Sequence, residues 1–297
     1  MRILLTGSTG LIGSAVLRRL SDEHHVVTLG RRATADVRAD LTDPGSLARA
    51  DLGSVDALVH CAGVVDEDFL DDPARALRSA TTGADALVRA VVAAGARRIA
   101  YISSAHVYGP MVGYRDEAIP PDPRSDYAIA HYATEQIFKR QTSTEVSGLA
   151  LRPCAVFGDL PDPSGFRRWS LIPFSFPRDA AQSGHIVIRS TGEQRRNFVG
   201  TDDIASTVSR WLDSAPMGWS AINPLGANTM SVFEFARLCV EVAEDEIGRT
   251  VEVTRQLPGG PTPGEDFEYA SRSPIALGNQ DLRAALARLM GAIGTEN

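Results

Sequence analysis

The segment Thr6-Gly7-Ser8-Thr9-Gly10-Leu11-Ile12-Gly13 carries the densest chemistry-bearing pattern in the chain. Its glycines are spaced G-x-x-G-x-x-G, between an apolar run at residues 3–6 and a helical pattern at residues 12–20. Such a turn bends tightly, brings bare backbone against a pyrophosphate and lets helix pack closely on strand. The helix N-terminus that follows presents free N–H groups and a favourable dipole to a phosphate. Gly7, Thr9, Gly10, Leu11, Ile12 and Gly13 are therefore candidate contacts to a dinucleotide. At the end of the second strand pattern an acidic residue would hydrogen-bond the ribose 2′-hydroxyl of NAD. This chain has Gly30-Arg31-Arg32 there. Two guanidiniums can bind a 2′-phosphate that a carboxylate would repel, so NADP(H) is expected over NAD(H). Asp40-Leu41 is placed to meet the adenine amino group.

These residues need a scaffold, and the first 160 residues predict one. Short apolar runs at 3–6, 26–29, 57–60, 99–103 and 148–152 read as buried strands, and helical patterns cover 12–20, 46–50, 74–94 and 127–142. Alternation of this kind implies a parallel sheet with right-handed crossovers and helices on both faces. Beyond Gly158 the texture changes. Prolines at 161, 163, 173 and 177 punctuate a less regular region, and residues 258–264 (PGGPTPG) predict a long loop. Helical patterns return at 203–212, 232–246 and 280–289, with strand candidates at 185–188 and 251–254. The expected class is α/β, a Rossmann-type doubly wound parallel sheet with a smaller C-terminal substrate lobe. Residues 1–158 form the dinucleotide-binding domain, with later segments returning to it, and residues 159–297 are mostly the substrate lobe.

The composition narrows the partners. A net charge of −7 over 297 residues favours neither nucleic acid nor an anionic membrane surface. Cys61, Cys154 and Cys239 are far apart in apolar stretches, which predicts buried free thiols in a reducing compartment. The six histidines do not pair at helical ligand spacing with one another or with a cysteine, so no metal is expected. The stretch before the glycine motif is too short for a signal h-region, and a cytoplasmic protein is expected.

Further segments carry a resemblance. His60-Cys-Ala-Gly63, Tyr101-Ile-Ser-Ser-Ala-His-Val-Tyr-Gly109, Leu151-Arg-Pro153 through Phe157-Gly158, and Arg196-Asn-Phe-Val-Gly-Thr-Asp-Asp203 join the glycine turn. Together they resemble the extended short-chain dehydrogenase/reductase family, the NAD-dependent epimerase/dehydratase group that modifies nucleotide sugars. The resemblance implies that Ser104 holds the substrate oxygen and that Tyr127 gives or takes the proton. It places His131 where the family has the lysine of Tyr-x-x-x-Lys; residues 127 and 131 share a helix face and can address one nicotinamide ribose and carbonyl. It also implies cofactor contacts from Ala62, Gly63, Pro153, Tyr127 and His131, and substrate contacts from Ser104, His106 and Arg196. Helices like 74–94 and 127–142 pair across a two-fold axis in such enzymes, so a homodimer is implied.

Three positions depart from the family pattern: His131 for lysine, Ala80 for asparagine, and Ala155 for an asparagine near the substrate diphosphate. A lysine ammonium stabilises phenolate, and a mostly neutral imidazole does so less. Oxidation or epimerisation needs the phenolate as base, whereas carbonyl reduction needs the protonated phenol. With the arginine pair, this points to NADPH-dependent reduction of a keto group on a nucleotide-linked deoxysugar. A nucleotide-sugar epimerase and a non-catalytic NADP-binding module are the alternatives. Ala105-His106 lacks the acids of the related dehydratases, and His106 is either a substrate contact, a second acid or a histidine satisfied at the strand end. Arg195 and Arg196 either clamp a diphosphate as a pair or form an exposed basic pair or an ion pair with Glu193, and residues 165–173 either cover the substrate or belong to the lobe core.

Overall fold

A computed structural model describes residues 1–257 and 263–294 of the chain. In chain order the first half comprises β1 (Arg2–Thr6), α1 (Leu11–Ser21), β2 (His25–Gly30), β3 (Val37–Arg38), α2 (Pro44–Arg49), β4 (Ala57–His60), α3 (Asp66–Asp71), α4 (Pro73–Arg78), α5 (Ala84–Ala93), β5 (Arg98–Ile102), β6 (Tyr114–Arg115), α6 (Asp126–Arg140) and β7 (Ser147–Leu151). The second half comprises β8 (Ala155–Phe157), α7 (Ile172–Gln182), β9 (His185–Ile188), β10 (Arg195–Gly200), α8 (Thr201–Ser214), β11 (Trp219–Ile222), β12 (Asn228–Ser231), α9 (Val232–Ile247), β13 (Glu252–Arg255), β14 (Glu268–Tyr269) and α10 (Leu282–Gly294).

The large sheet has seven strands in the order β11-β7-β5-β4-β1-β2-β3. Every neighbouring pair in it is parallel. Helices cover both faces, which is why Ile3, Leu4 and Leu5 in succession are fully buried instead of alternating with polar residues. The chain passes from β1 to β2 on one side and to β4 on the other. A crevice therefore opens beyond the C-terminal ends of β1 and β4, the topological switch point where open α/β sheets bind ligands. The seventh strand, β11, comes from beyond residue 158 and closes the sheet beside β7.

The remaining strands form a three-stranded sheet (β12-β10-β8) and two two-stranded ones (β13-β9 and β14-β6). A second core lies among α7, α9 and α10, where Phe198 and Phe235 stack with ring centroids 4.5 Å apart beside buried Phe174. No helix among the described residues is long and apolar enough to cross a membrane.

Besides the short strands β3, β6, β8, β11, β12 and β14, which no apolar run announced, four local outcomes differ from the sequence expectations. Residues 172–182 are helical although Pro173 and Pro177 predict irregular chain. Pro173 sits in the first turn, where a missing N–H costs nothing, and burial of Phe174, Phe176 and Ala180 holds the rest together. The single helix expected over 74–94 is broken by a π-helical turn at Ser79–Gly83. There Thr134 Oγ1 on α6 donates to the Ala80 carbonyl at 2.7 Å, and a Cβ on Gly83 would overlap the Leu41 carbonyl. The close approach of two neighbours widens that turn. The third difference is α3, an acidic helix that no periodic pattern announced, held by cations from a distant loop. The fourth is a strand, β10, that contains the Arg195-Arg196 pair. The loop expected at residues 258–264 lies, at 258–262, outside the described residues.

Candidate active site

Two adjoining clefts, of about 600 and 480 Å³, occupy the switch-point crevice and share Gly7, Thr9, Arg32, Ala62, Gly63 and Arg167. The glycine turn forms the floor between them. Gly7 adopts φ 71°, and a Cβ there would stand 2.7 Å from the Ala62 backbone nitrogen. A Cβ on Gly13 would overlap the Gly7 carbonyl, so glycine at both positions is a packing requirement. Gly10 caps α1 with no side-chain acceptor, leaving the helix N-terminus open to an anion. Leu11 and Ile12 line the same cleft. This bare cradle, ready for a phosphate, fits a dinucleotide.

The larger cleft suits the adenosine half. Arg31, Arg32, Asp40, Leu41 and Ala62 line it. Both arginines are exposed, and neither forms an ion pair among the described residues. The nearby carboxylate of Asp36, though exposed, is occupied by Thr28, accepting from Thr28 N at 2.8 Å and Thr28 Oγ1 at 2.7 Å. Asp40 is similarly engaged, accepting from Thr42 N at 2.9 Å and Thr42 Oγ1 at 2.8 Å. Burial alone would raise the Asp40 carboxyl, but the Thr42 bonds and the charges of Arg31 and Arg75 more than offset it and hold it low.

The smaller cleft gathers Ser104, His106, Tyr127, Pro153 and Arg196. Ser104 follows β5 and caps a 3-10 turn (Ala105–Tyr108), its Oγ accepting from His106 N at 3.2 Å. The hydroxyl hydrogen remains to donate. Tyr127 lies in the first turn of α6, which Ser125 caps by accepting from Ala128 N at 3.2 Å. Its buried ring packs on His131 at 4.4 Å, meets His106 edge-on at 5.9 Å, and has the Arg168 guanidinium 5.3 Å from its centroid. Ser104, Tyr127 and His106 are thus brought together around one cleft. The imidazole of His106, open to that cleft, is held below the usual histidine value by desolvation and then by Arg196 and Arg168, against Asp66.

His131 is brought to the site but is fully engaged by the protein. Nδ1 lies 2.6 Å from the Tyr101 hydroxyl and Nε2 lies 3.1 Å from the Val64 carbonyl. A carbonyl only accepts, so Nε2 carries the proton. Desolvation pushes this imidazole down to about 3, and the ring is neutral. Neither nitrogen is spare for a ribose hydroxyl, the contact that the lysine-like position implied.

Beneath Ser104 runs a buried polar network that sequence reasoning missed. Ser103 Oγ donates to Glu135 Oε1 at 2.6 Å, and Arg152 grips Glu135 through Nε at 3.0 Å and Nη2 at 2.7 Å. Arg152 also donates to the Tyr108 hydroxyl at 2.8 Å, which donates in turn to Asn223 at 2.9 Å. Burial would depress the Arg152 guanidinium, but Glu135 and Tyr108 outweigh it and raise it. One signal was available: Glu135 follows His131 by four residues and Tyr127 by eight, so all three share one helix face.

Two expectations are corrected by side-chain direction and burial. Arg195 and Arg196 do not clamp as a pair, because successive strand residues face opposite sides. Arg196 enters the smaller cleft beside Cys154, without an ion pair among the described residues, and desolvation lowers it. Arg195 turns outward, 3.7 Å from Glu234, and donates to the Thr229 carbonyl. Of the three free thiols only Cys239 is fully buried; Cys61 and Cys154 are half-buried and line the cleft. Desolvation pushes the Cys61 thiol up to about 12 and raises that of Cys154, so both are poor nucleophiles.

The loop before α7 crosses the opening. Arg167 contacts Asp68 at 2.8 Å and Asp71 at 2.7 Å, and Arg168 contacts Asp66 at 3.0 Å, binding the loop to α3. Phe166, Trp169 and Phe174 pack together behind it. Ala155, in β8, lines the cleft with a methyl group where an asparagine was the family pattern.

Comparisons with known proteins agree with this arrangement. The profile of the NAD dependent epimerase/dehydratase family matches residues 3–220. A UDP-glucose 4-epimerase of Mycolicibacterium smegmatis is 29% identical over 233 residues, 71% of this chain and 72% of its own. One from Azospirillum brasilense is 32% identical over 154 residues, 46% of this chain and 44% of its own. Among solved structures, RMD from Pseudomonas aeruginosa complexed with NADPH superposes with a TM-score of 0.78 at 21% identity, covering 99% of this chain and 100% of that one. MoeE5 in complex with UDP-glucose and NAD gives 0.77 at 23% identity, covering 98% of both chains. The open glycine cradle, the Ser104–Tyr127 pair and the profile match together make this chain a member of the NAD-dependent epimerase/dehydratase family of extended short-chain dehydrogenases/reductases.

Proposed function

We propose that this protein is an NADPH-dependent ketoreductase acting on a nucleotide-linked sugar, with Tyr127 as its proton donor. The observation that carries the reading is the neighbour of that phenol: a neutral imidazole bonded on both sides by the protein, where a lysine ammonium would favour phenolate. Arg168 does bring a cation over the ring, but Asp66 and Glu67 share its charge. A phenol acting as proton donor suits reduction, in which the substrate oxygen must be protonated. When bound, the nicotinamide supplies the hydride. Ser104 and Tyr127 are the donors that would polarise the keto oxygen, and Tyr127 the one that would protonate it. NADPH is favoured by Arg31 and Arg32, without ion pairs among the described residues, and by the engagement of Asp36 with Thr28. A nucleotide-sugar substrate is supported by the UDP-glucose bound to MoeE5 and by Arg196 in the cleft, a cation suited to a phosphate.

Titration with NADPH and NADH, followed by turnover on thymidine- and uridine-linked 4-keto-6-deoxyhexoses, tests the proposal. Tighter NADPH binding and stoichiometric NADPH oxidation are expected. Oxidation with none of the panel would overturn it. The names of the sequence relatives favour a second reading, a nucleotide-sugar 4-epimerase. Its mark would be protein that purifies with dinucleotide bound and interconverts sugars without added cofactor.

We further propose a homodimer, supported by Leu77 on α4 and Ile129 on α6, which stand exposed on the helices named for that role. The division at residue 158 into a dinucleotide unit and a substrate lobe is part of the same proposal, as is a cytoplasmic setting, which the three free thiols support.

A further inference from the structure

We infer that Tyr101 is a positioning residue for the proton donor, acting through His131. The inference rests on the reading of Tyr127 as that donor. Tyr101 is in β5 and wholly buried, and its hydroxyl reaches His131 Nδ1 at 2.6 Å. Because Nε2 must donate to the Val64 carbonyl, a neutral His131 accepts at Nδ1, and the Tyr101 hydroxyl donates. The two bonds hold the imidazole from opposite edges, fixing its tautomer and its plane. That plane supports Tyr127, 4.4 Å away.

Two further features belong to the same clamp. Gly63 leaves room for it: a Cβ there would stand 3.1 Å from His131 Cε1 and 3.4 Å from the Tyr101 hydroxyl. His60 stacks on the other side of Tyr101, centroids 5.3 Å apart, and its Nδ1 is held by Thr6 Oγ1 at 2.6 Å. The titratable groups around His131 are Tyr101 from β5, His60 from β4, Tyr127 on its own helix, His106 from the 3-10 turn and Arg168 from the crossing loop. The buried carboxylate one turn further along α6, Glu135, is committed to Arg152 and Ser103. A phenol that donates is the partner that a neutral ring requires. In this chain, hydrogen bonding and ring contact hold Tyr127 in place without the positive charge by which a lysine would favour its phenolate.

The test is the imidazole spectrum of His-labelled protein, read by long-range nitrogen–proton correlation across about pH 5.5 to 8, with His131 assigned through His131→Gln. The wild type is expected to show an unchanging neutral ring protonated at Nε2. A ring protonated at Nδ1, or an imidazolium in that range, overturns the inference whether or not any substrate is known. Tyr101→Phe removes only the hydroxyl and should mix the tautomers or bring a titration into the range. Gly63→Ala, whose methyl would press on His131 Cε1 and the Tyr101 hydroxyl, should disturb the same signals. An unaltered spectrum in a folded Tyr101→Phe variant also overturns the inference. With a keto substrate in hand, that variant should lose about tenfold in kcat with little change in KM, and its pH profile should gain an ionisation absent from the wild type. Failure of every keto substrate would instead count against the proposed function and leave the spectral result to decide the role of Tyr101.

Discussion

Mild acid should destabilise this fold before its carboxylates titrate, because two histidines are buried in the neutral form. Desolvation holds His60 down at about 4 and His131 at about 3, against 6.5 for the free side chain. A depressed histidine binds its proton more readily in the unfolded chain, so its contribution is fully present above pH 6.5 and is lost as pH falls towards the folded value. Between about pH 7.5 and pH 5 the unfolded chain takes up nearly one proton at each histidine that the native state refuses. At about 1.4 kcal/mol per pH unit below about 6.5, each costs about 2 kcal/mol by about pH 5, and the pair about 4 kcal/mol. The low-lying carboxylates respond later. Thr28 holds Asp36 low, and at Asp40 and Asp85 burial is outweighed by hydrogen bonds and neighbouring arginines, so all three release their contributions only at lower pH. His106, lowered by desolvation and by Arg196 and Arg168 in the cleft, adds to the loss in the same direction. Urea unfolding followed by tryptophan fluorescence at several pH values would measure the loss. His131→Gln, which keeps an uncharged donor and acceptor, should remove about 2 kcal/mol of the loss between about pH 7.5 and pH 5 even though it lowers stability overall. A stability that stays level from about pH 7.5 to about pH 5, or a slope unchanged by that substitution, would refute the assignment of neutral buried histidines.

Other expectations follow from the site. Tyr127→Phe should reduce keto reduction by about 100- to 10,000-fold while leaving NADPH binding intact, as single-turnover and titration experiments would show. Arg31→Ala with Arg32→Ala should weaken NADPH about 10- to 100-fold and NADH hardly at all, since charge-assisted hydrogen bonds are worth about 1.5–3 kcal/mol; equal losses for both cofactors would count against the 2′-phosphate role. Glu135→Gln leaves the Arg152 guanidinium buried beside a neutral amide and should cost about 3–5 kcal/mol of stability by chemical denaturation. Arg167→Ala with Arg168→Ala should speed dinucleotide release up to about tenfold in stopped-flow displacement and make it less sensitive to salt, because the exposed pairs to α3 are individually weak.

The sequence alone determined the glycine turn and the elements that flank it. The glycines, the strand before them and the helix after them are neighbours in the chain, and local steric demand on the backbone decides what they do. Periodicity likewise located five of the seven strands of the large sheet and most helices to within a few residues, because a strand covered on both faces must be apolar throughout; β3, two residues long, and β11, from beyond residue 158, escaped it. The prolines of α7 misled it, since the burial that overrides their local preference comes from α9 and α10, far along the chain. Only tertiary structure decided which groups His131 meets: Tyr101, Val64 and Gly63 reach it from two other strand ends, and no spacing along α6 announces them. The same holds for the separation of Arg195 from Arg196 and for the Glu135–Arg152 pair. What a buried polar atom bonds to depends on through-space geometry, and in a parallel sheet the nearest partners in space are seldom close in sequence.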